Sequence, residues 1–218
     1  MWSFPPAPTF GLPVEGEAAR LPLRRIFCIG RNYADHAAEM GATVNLDAPM
    51  FFTKAAQAAF AAGGTIPYPP GTRDLHHEVE LVVALGPHGV FGYGVGLDLT
   101  RRDLQAAAKD KRGPWDAGKD FDNSAVLAPL RQAGGWAPGD QAITLAVNGQ
   151  PRQSGHLAQM LWGVPALIGY LGSLYALQPG DIIMTGTPAG VGPLHPGDRV
   201  EAAIDGLPPL TLAIQPSE

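Results

Sequence analysis

The sequence predicts an α+β fold that is mainly β, built as one domain. Three observations lead there. First, the 218 residues include 28 glycines and 22 prolines, which divide the chain into short runs joined by turns. Second, most of those runs are apolar and suit strands, whereas only three stretches read as helix. Third, strands and helices do not alternate regularly, which argues against a doubly wound parallel sheet. Hydrophobic residues are 45% and charged residues 16%, a globular composition that supports one sizeable core.

Taken in order, residues 1–24 carry Pro5, Pro6, Pro8, Pro13 and Pro22 and predict an extended arm laid over the surface. Residues 25–218 then form a single catalytic domain. Arg25–Ile29 is a short strand ended by Gly30. Tyr33–Met40 holds helix formers and stops at Gly41. Pro49–Thr53 and Thr65–Pro67 are short extended pieces. Glu78–Leu85 and Tyr93–Thr100 are strands, Arg101–Lys109 is a helix, and residues 111–124 are a loop. Ile143–Val147 with Asn148-Gly149 is half of a hairpin. Val164–Leu177 is the clearest helix. Ile182–Thr185, Val200–Ile204 and Leu210–Ile214 complete the strands, the last two joined at Asp205-Gly206. Pro-Gly-Asp recurs at 138–140, 179–181 and 196–198, but the flanking residues differ, so these are three independent turns and not a repeat.

Charge and cysteine content exclude several classes. Net charge is −5, with no clustered Lys and Arg of the kind a nucleic-acid surface needs. No run reaches the roughly 20 apolar residues of a membrane span, and the N-terminus has no secretory pattern. Cys28 is the one cysteine. It sits in an apolar run and reads as a buried structural thiol compatible with a reducing compartment. A cytoplasmic enzyme is expected.

The chemistry centres on His76-His77-Glu78-Val79-Glu80-Leu81. Side chains alternate along a strand, so Glu78 and Glu80 share a face. Two like charges there need compensation, and two readings stand: both face water on an edge strand, or both hold a divalent cation. Asp98 lies in the otherwise apolar Val95–Thr100, where a buried carboxylate must be paired or metal-bound. Its other reading is a helix N-cap, although Thr100 is better placed for that. The metalloprotease and P-loop spacings are absent.

Five segments in order resemble the fumarylacetoacetate hydrolase superfamily at its single-domain, acylpyruvate-hydrolysing end, nearest the members that cleave fumarylpyruvate. They are Gly30-Arg31-Asn32-Tyr33-Ala34-Asp35-His36, His76–Leu81, Gly96–Gln105, Pro114-Trp115 through Asp122, and Gly186–Gly192. The resemblance implies a mixed β-sandwich roll, a homodimer, and Mg²⁺ or Mn²⁺ on Glu78, Glu80 and Asp98. It implies hydrolysis of a carbon–carbon bond in a 2,4-dioxo acid, with fumarylpyruvate of the gentisate pathway as the leading substrate. Oxaloacetate decarboxylation, general acylpyruvate hydrolysis and heptadienedioate isomerisation are alternatives on the same site. It further implies a base formed by His36 and Glu39, whose i,i+3 spacing puts both on one helical face, and an oxyanion-stabilising Lys119. Arg102 and Gln105 are implied substrate contacts, with Arg31 and Thr187 as weaker ones and Lys54 weaker still. Residues 33–45 are expected to form a mobile lid, since so short a helix is marginal alone. The chain departs from the family between Leu85 and Gly92, where it is shorter.

Overall fold

The computed structural model describes residues 2–41 and 46–216. It is mainly β, as predicted, with four α-helices among the described residues: α1 (Ala34–Glu39), α2 (Arg102–Asp110), α3 (Asp116–Lys119) and α4 (Val164–Leu174). The largest sheet has eight strands, in the spatial order Met50–Lys54, Arg25–Gly30, Asp181–Met184, Val79–Gly86, Gly89–Asp98, Ala125–Leu127 and Ala59–Ala61, with Arg131–Gln132 added alongside Gly89–Asp98. Pairing is mixed: Asp181–Met184 runs parallel to Arg25–Gly30 and antiparallel to Val79–Gly86. A five-stranded sheet stacks Gln150–His156, Ala142–Val147, Arg199–Ile204, Leu210–Ile214 and Thr65–Ile66.

Two apolar clusters cover the two faces of the large sheet. Val79, Leu81 and Val83 point into a core shared with Leu145, Val200 and Leu212 of the five-stranded sheet and with Leu167 and Leu171 of α4. Val82 and Ala84 point the other way, onto Cys28, Ile26, Ile182 and Met184. The near-continuous apolar runs Arg25–Gly30 and Asp181–Met184 follow from this, because a central strand covered on both faces has no polar side. Cys28 is fully buried, and burial pushes its thiol pKa well up, so it is structural, as read from the sequence.

That alternation positions the site. Glu80 shares the face of Val82 and Ala84, at the end where that second cluster stops. Glu78 lies one residue before the strand, and its carbonyl accepts the Asp98 N–H at 2.9 Å. The last residue of Gly89–Asp98 is thereby held beside Glu78.

Several elements differ from the sequence reading. Gly11–Pro13 and Arg20–Pro22 pair as a hairpin, with Leu12 and Leu21 buried, so the proline-rich arm is partly folded onto the sheet. The loop 111–124 contains α3, a single turn too short to leave a periodicity. Asn148 and Gly149 take φ of 52° and 76°, as a tight Asn-Gly hairpin requires, and the returning strand is Gln150–His156, whose polar residues hide it from pattern reading. The shortened connection closes as a turn between Gly86 and Gly89. Of the predicted lid, residues 42–45 lie outside the described residues.

Candidate active site

Glu78, Glu80 and Asp98 converge. Each offers a ligand oxygen, all within 4.8 Å of one another, and all three residues are buried. Three buried cations balance the three carboxylates. Arg102 Nη2 donates to Glu78 Oε1 at 2.5 Å. Lys119 Nζ donates to Glu78 Oε2 at 2.8 Å, Asp98 Oδ2 at 2.7 Å and Thr100 Oγ1 at 2.7 Å. Lys54 Nζ lies 2.9 Å from Asp98 Oδ1, although the angle is not that of a hydrogen bond and Oδ1 has none. Charges of −3 and +3 sum to zero. Asp98 caps no helix, since Arg101 is the N-cap of α2.

The electrostatics are uneven. Burial pushes the Glu78 carboxyl up, but Lys119, Arg102 and His36 outweigh it and hold it well below the usual carboxylate range. Glu80 has no such partner. Burial, Asp98 and Glu78 push it well up, against only the Gly186 N–H and the more distant Lys119. Burial lowers the Lys119 pKa, yet Asp98 and Glu78 win and raise it to about 12, so this ammonium is permanently charged. A divalent cation fits this donor set: the oxygens are hard, the group is buried, and among the described residues no cation pairs with Glu80 directly and Asp98 Oδ1 accepts no hydrogen bond. All-oxygen sites of this kind suit Mg²⁺ or Mn²⁺.

His36 and Glu39 lie on the short α1. His36 Nδ1 is 3.4 Å from Glu39 Oε2, so the Nδ1 hydrogen faces Glu39 and Nε2 carries the free lone pair. Both Glu39 oxygens also accept the Gly190 N–H, at 3.1 and 3.2 Å, which ties α1 to the 186–192 loop. Burial lowers the His36 pKa below its usual 6.5, partly offset by Glu78 and Glu39. Asn32 anchors the preceding turn by donating to the Thr185 and Trp162 carbonyls at 2.7 and 3.0 Å. Arg31 next to it has φ of 59°, a conformation that costs a non-glycine residue of order 1–3 kcal/mol.

One pocket is lined by Arg31, His36, the three carboxylates, Arg102, Gln105, Lys119 and Thr187, with Phe52, Lys109 and Trp115 around them. Of the residues picked from the sequence, Glu39 and Lys54 do not line it: Glu39 sits behind His36, and Lys54 is buried beside Asp98. Arg102 also donates to Gln105 Oε1 at 2.6 Å, so the helical spacing of these two produces a pair and not two free contacts. Gly118 permits the close packing of α3 on α2 that brings Lys119 in, since a Cβ there would lie 2.8 Å from the Gln105 nitrogen. Sequence reasoning undervalued Lys54 and missed Lys109 and Gln153. Nothing local distinguishes these three from surface residues; the partners that bury them are distant in sequence.

Comparison with known proteins decides the family. The model of the fumarylacetoacetate (FAA) hydrolase C-terminal domain matches residues 25–215. The chain belongs to this family. Within it, the chain is 40% identical over 185 residues to fumarylpyruvate hydrolase of Ralstonia sp, covering 80% of this chain and 96% of that one. It is also 40% identical over 220 residues to the mitochondrial oxaloacetate tautomerase of Homo sapiens, covering 92% and 99%. The crystal structure of fumarylpyruvate hydrolase from Pseudomonas aeruginosa, in complex with Mn²⁺ and pyruvate, superposes with a TM-score of 0.95 at 39% identity, over 100% of both chains.

Proposed function

We propose that this member of the fumarylacetoacetate hydrolase family hydrolyses the carbon–carbon bond of a 2,4-dioxo acid, with fumarylpyruvate as substrate and fumarate and pyruvate as products. One observation carries the reading: three buried carboxylates, a neutral histidine base and permanently charged cations all face a single pocket. The relatives named as fumarylpyruvate hydrolases support the substrate.

Glu78, Glu80 and Asp98 would hold Mg²⁺ or Mn²⁺, which when bound supplies Lewis-acid polarisation of the substrate's oxo-acid end. The chain's own residues supply the rest. Nε2 of His36 takes a proton from water as it attacks the distal carbonyl, and Glu39, accepting from Nδ1–H, orients the ring and stabilises the imidazolium. The bond between the methylene and that carbonyl breaks, leaving fumarate and the enolate of pyruvate. His36 returns its proton to the methylene carbon, so that one water is consumed overall. The fixed charge of Lys119 faces the developing enolate, a pre-organised term of the kind that dominates such sites. Arg102 holds Gln105 and Glu78 in place. Arg31, Gln105 and Thr187 are the substrate contacts, and Lys109 with Arg31 gives the outer pocket the positive charge that a dicarboxylate needs.

The wider reading is a cytoplasmic homodimer of aromatic catabolism. All assigned site residues lie between Arg31 and Thr187, which supports residues 25–218 as the catalytic domain and residues 1–24 as an appendage.

A second reading keeps the site and changes the substrate. The oxaloacetate tautomerase relatives favour it, because a base beside a stabilised enolate also interconverts keto and enol forms. The test follows absorbance loss of fumarylpyruvate by metal-stripped protein with and without Mg²⁺ or Mn²⁺, beside Glu80→Ala, with oxaloacetate and acetylpyruvate in parallel. Metal-dependent loss fastest for fumarylpyruvate, and absent in Glu80→Ala, is expected. Turnover of oxaloacetate alone transfers the assignment to the second reading, and no turnover with any metal ends the His36 mechanism.

A further inference from the structure

Gln153 is a glutamine of the five-stranded sheet, 1% exposed, that reaches into the large sheet and touches two segments of the site, His76–Leu81 and Gly186–Gly192. Its Oε1 accepts the Val79 N–H at 3.1 Å and faces His77 Nδ1 at 2.9 Å. Its Nε2 donates to the Pro188 carbonyl at 2.8 Å and to Thr187 Oγ1 at 2.7 Å. A backbone N–H can only donate and a backbone carbonyl can only accept, so Val79 and Pro188 together leave one orientation of the amide.

Two consequences follow from that orientation. His77 Nδ1 must carry a hydrogen, in either charge state of the ring. The Thr187 oxygen already receives a hydrogen from Gln153, so its own hydroxyl hydrogen is left to donate. Among the described residues no acceptor takes it, and Thr187, 1% exposed, lines the pocket. We propose that Gln153 is a positioning residue: its amide turns Thr187 into a hydrogen-bond donor aimed at a carboxylate or oxo oxygen of the bound acid. The packing of the same strand supports this. Gly190 has φ of +93°, and a Cβ there would lie 2.1 Å from the Arg152 carbonyl; a Cβ on Gly155 would lie 2.8 Å from Pro188. The 186–192 loop therefore rests directly on the strand that carries Gln153, which gives the amide a fixed reach to Thr187.

The inference rests on the proposed reading only for the ligand class, an oxo acid. Its test uses pyruvate as probe on the Mg²⁺-loaded protein, with dissociation constants from calorimetry, and the ring tautomer of His77 from two-bond ¹H–¹⁵N spectra. The Nδ1–H form is expected for His77. Gln153→Glu keeps the acceptor toward Val79 but presents an oxygen to Thr187, which recaptures the hydroxyl hydrogen. It should weaken pyruvate binding by about 10- to 100-fold, the range for losing a hydrogen bond to a charged group. Thr187→Val should lose as much, and Thr187→Ser should recover most of it. In the double variant Gln153→Glu with Thr187→Val, binding should be no weaker than in Thr187→Val alone, since the two residues act as one unit. An Nε2–H tautomer at His77, unchanged binding in Thr187→Val, or fully multiplicative losses in the double variant would each overturn the proposal. If Gln153→Glu fails to fold, the tautomer and the Thr187 pair still decide. None of these readouts needs turnover of fumarylpyruvate, so a wrong substrate would leave them standing.

Discussion

Replacing Lys119 by methionine separates the structural and chemical parts of the site. The Lys119 ammonium spends all three hydrogens on Glu78 Oε2, Asp98 Oδ2 and Thr100 Oγ1. Removing one partner of a buried ion pair costs about 3–5 kcal/mol because a charge is left uncompensated. Here the lower end applies, since Arg102 still pairs with Glu78 and Lys54 still neighbours Asp98. Unfolding entropy of about 2.1 cal/mol/K per residue makes each kcal/mol worth about 2 °C in a chain of this length. Metal-free Lys119→Met should therefore melt about 7 °C below the native protein. The divalent ion and the ammonium compete for the same carboxylate oxygens, so the variant should gain more from metal than the native chain does. For the native chain that gain is about 2.7 kcal/mol, or roughly 6 °C, at a hundredfold excess over Kd. Thermal unfolding by circular dichroism with and without Mn²⁺ measures both quantities, and turnover should be lost throughout. A metal-free shift below about 2 °C, or a metal gain no larger than the native one, would refute the idea that Lys119 offsets the carboxylates.

Four further outcomes are expected. Because burial lowers the His36 pKa and a base must be neutral to act, activity is lost as pH falls through that lowered value. The acid limb of kcat/KM should thus lie below pH 6.5, and a metal ion screening Glu78 would lower it further. Glu39→Gln removes a contribution that raises this pKa, so the limb should shift to still lower pH with a plateau about 10-fold down or more; a shift to higher pH would contradict the orientation argument. Lys109 stacks 5.0 Å over Trp115 and has no carboxylate within salt-bridge distance among the described residues, so Lys109→Met should raise KM for fumarylpyruvate about 10-fold. Acetylpyruvate, which lacks the distal carboxylate, should hardly be affected, and an equal loss for both substrates would remove Lys109 from recognition. Gly190→Ala forces a side chain into positive φ against the Arg152 carbonyl and should cost about 1–3 kcal/mol of backbone strain alone, read as a lower melting temperature together with a raised KM.

The sequence by itself determined the strand that carries Glu80 and follows directly on Glu78, the mainly β class and the order of the motifs. These are local properties: alternation along a strand and turn chemistry at glycine and proline survive without knowledge of neighbours. The family resemblance pointed to His36 with Glu39 and to Arg102 with Gln105, and their helical spacing, which is local too, puts each pair on one face. Only the tertiary structure decided which charges compensate which. Asp98 meets Glu78 through a ladder hydrogen bond, Lys119 arrives from a one-turn helix inside an apparent loop, and Lys54 comes from a strand on the far side of the sheet. Gln153 reaches the site from a polar strand of the other sheet, where nothing in the pattern separates a buried amide from an exposed one. The physical reason is the same in each case. A lone lysine or glutamine has no preference that its own segment reveals, and its protonation state, donor direction and burial are set by partners that chain folding alone brings within 3 Å.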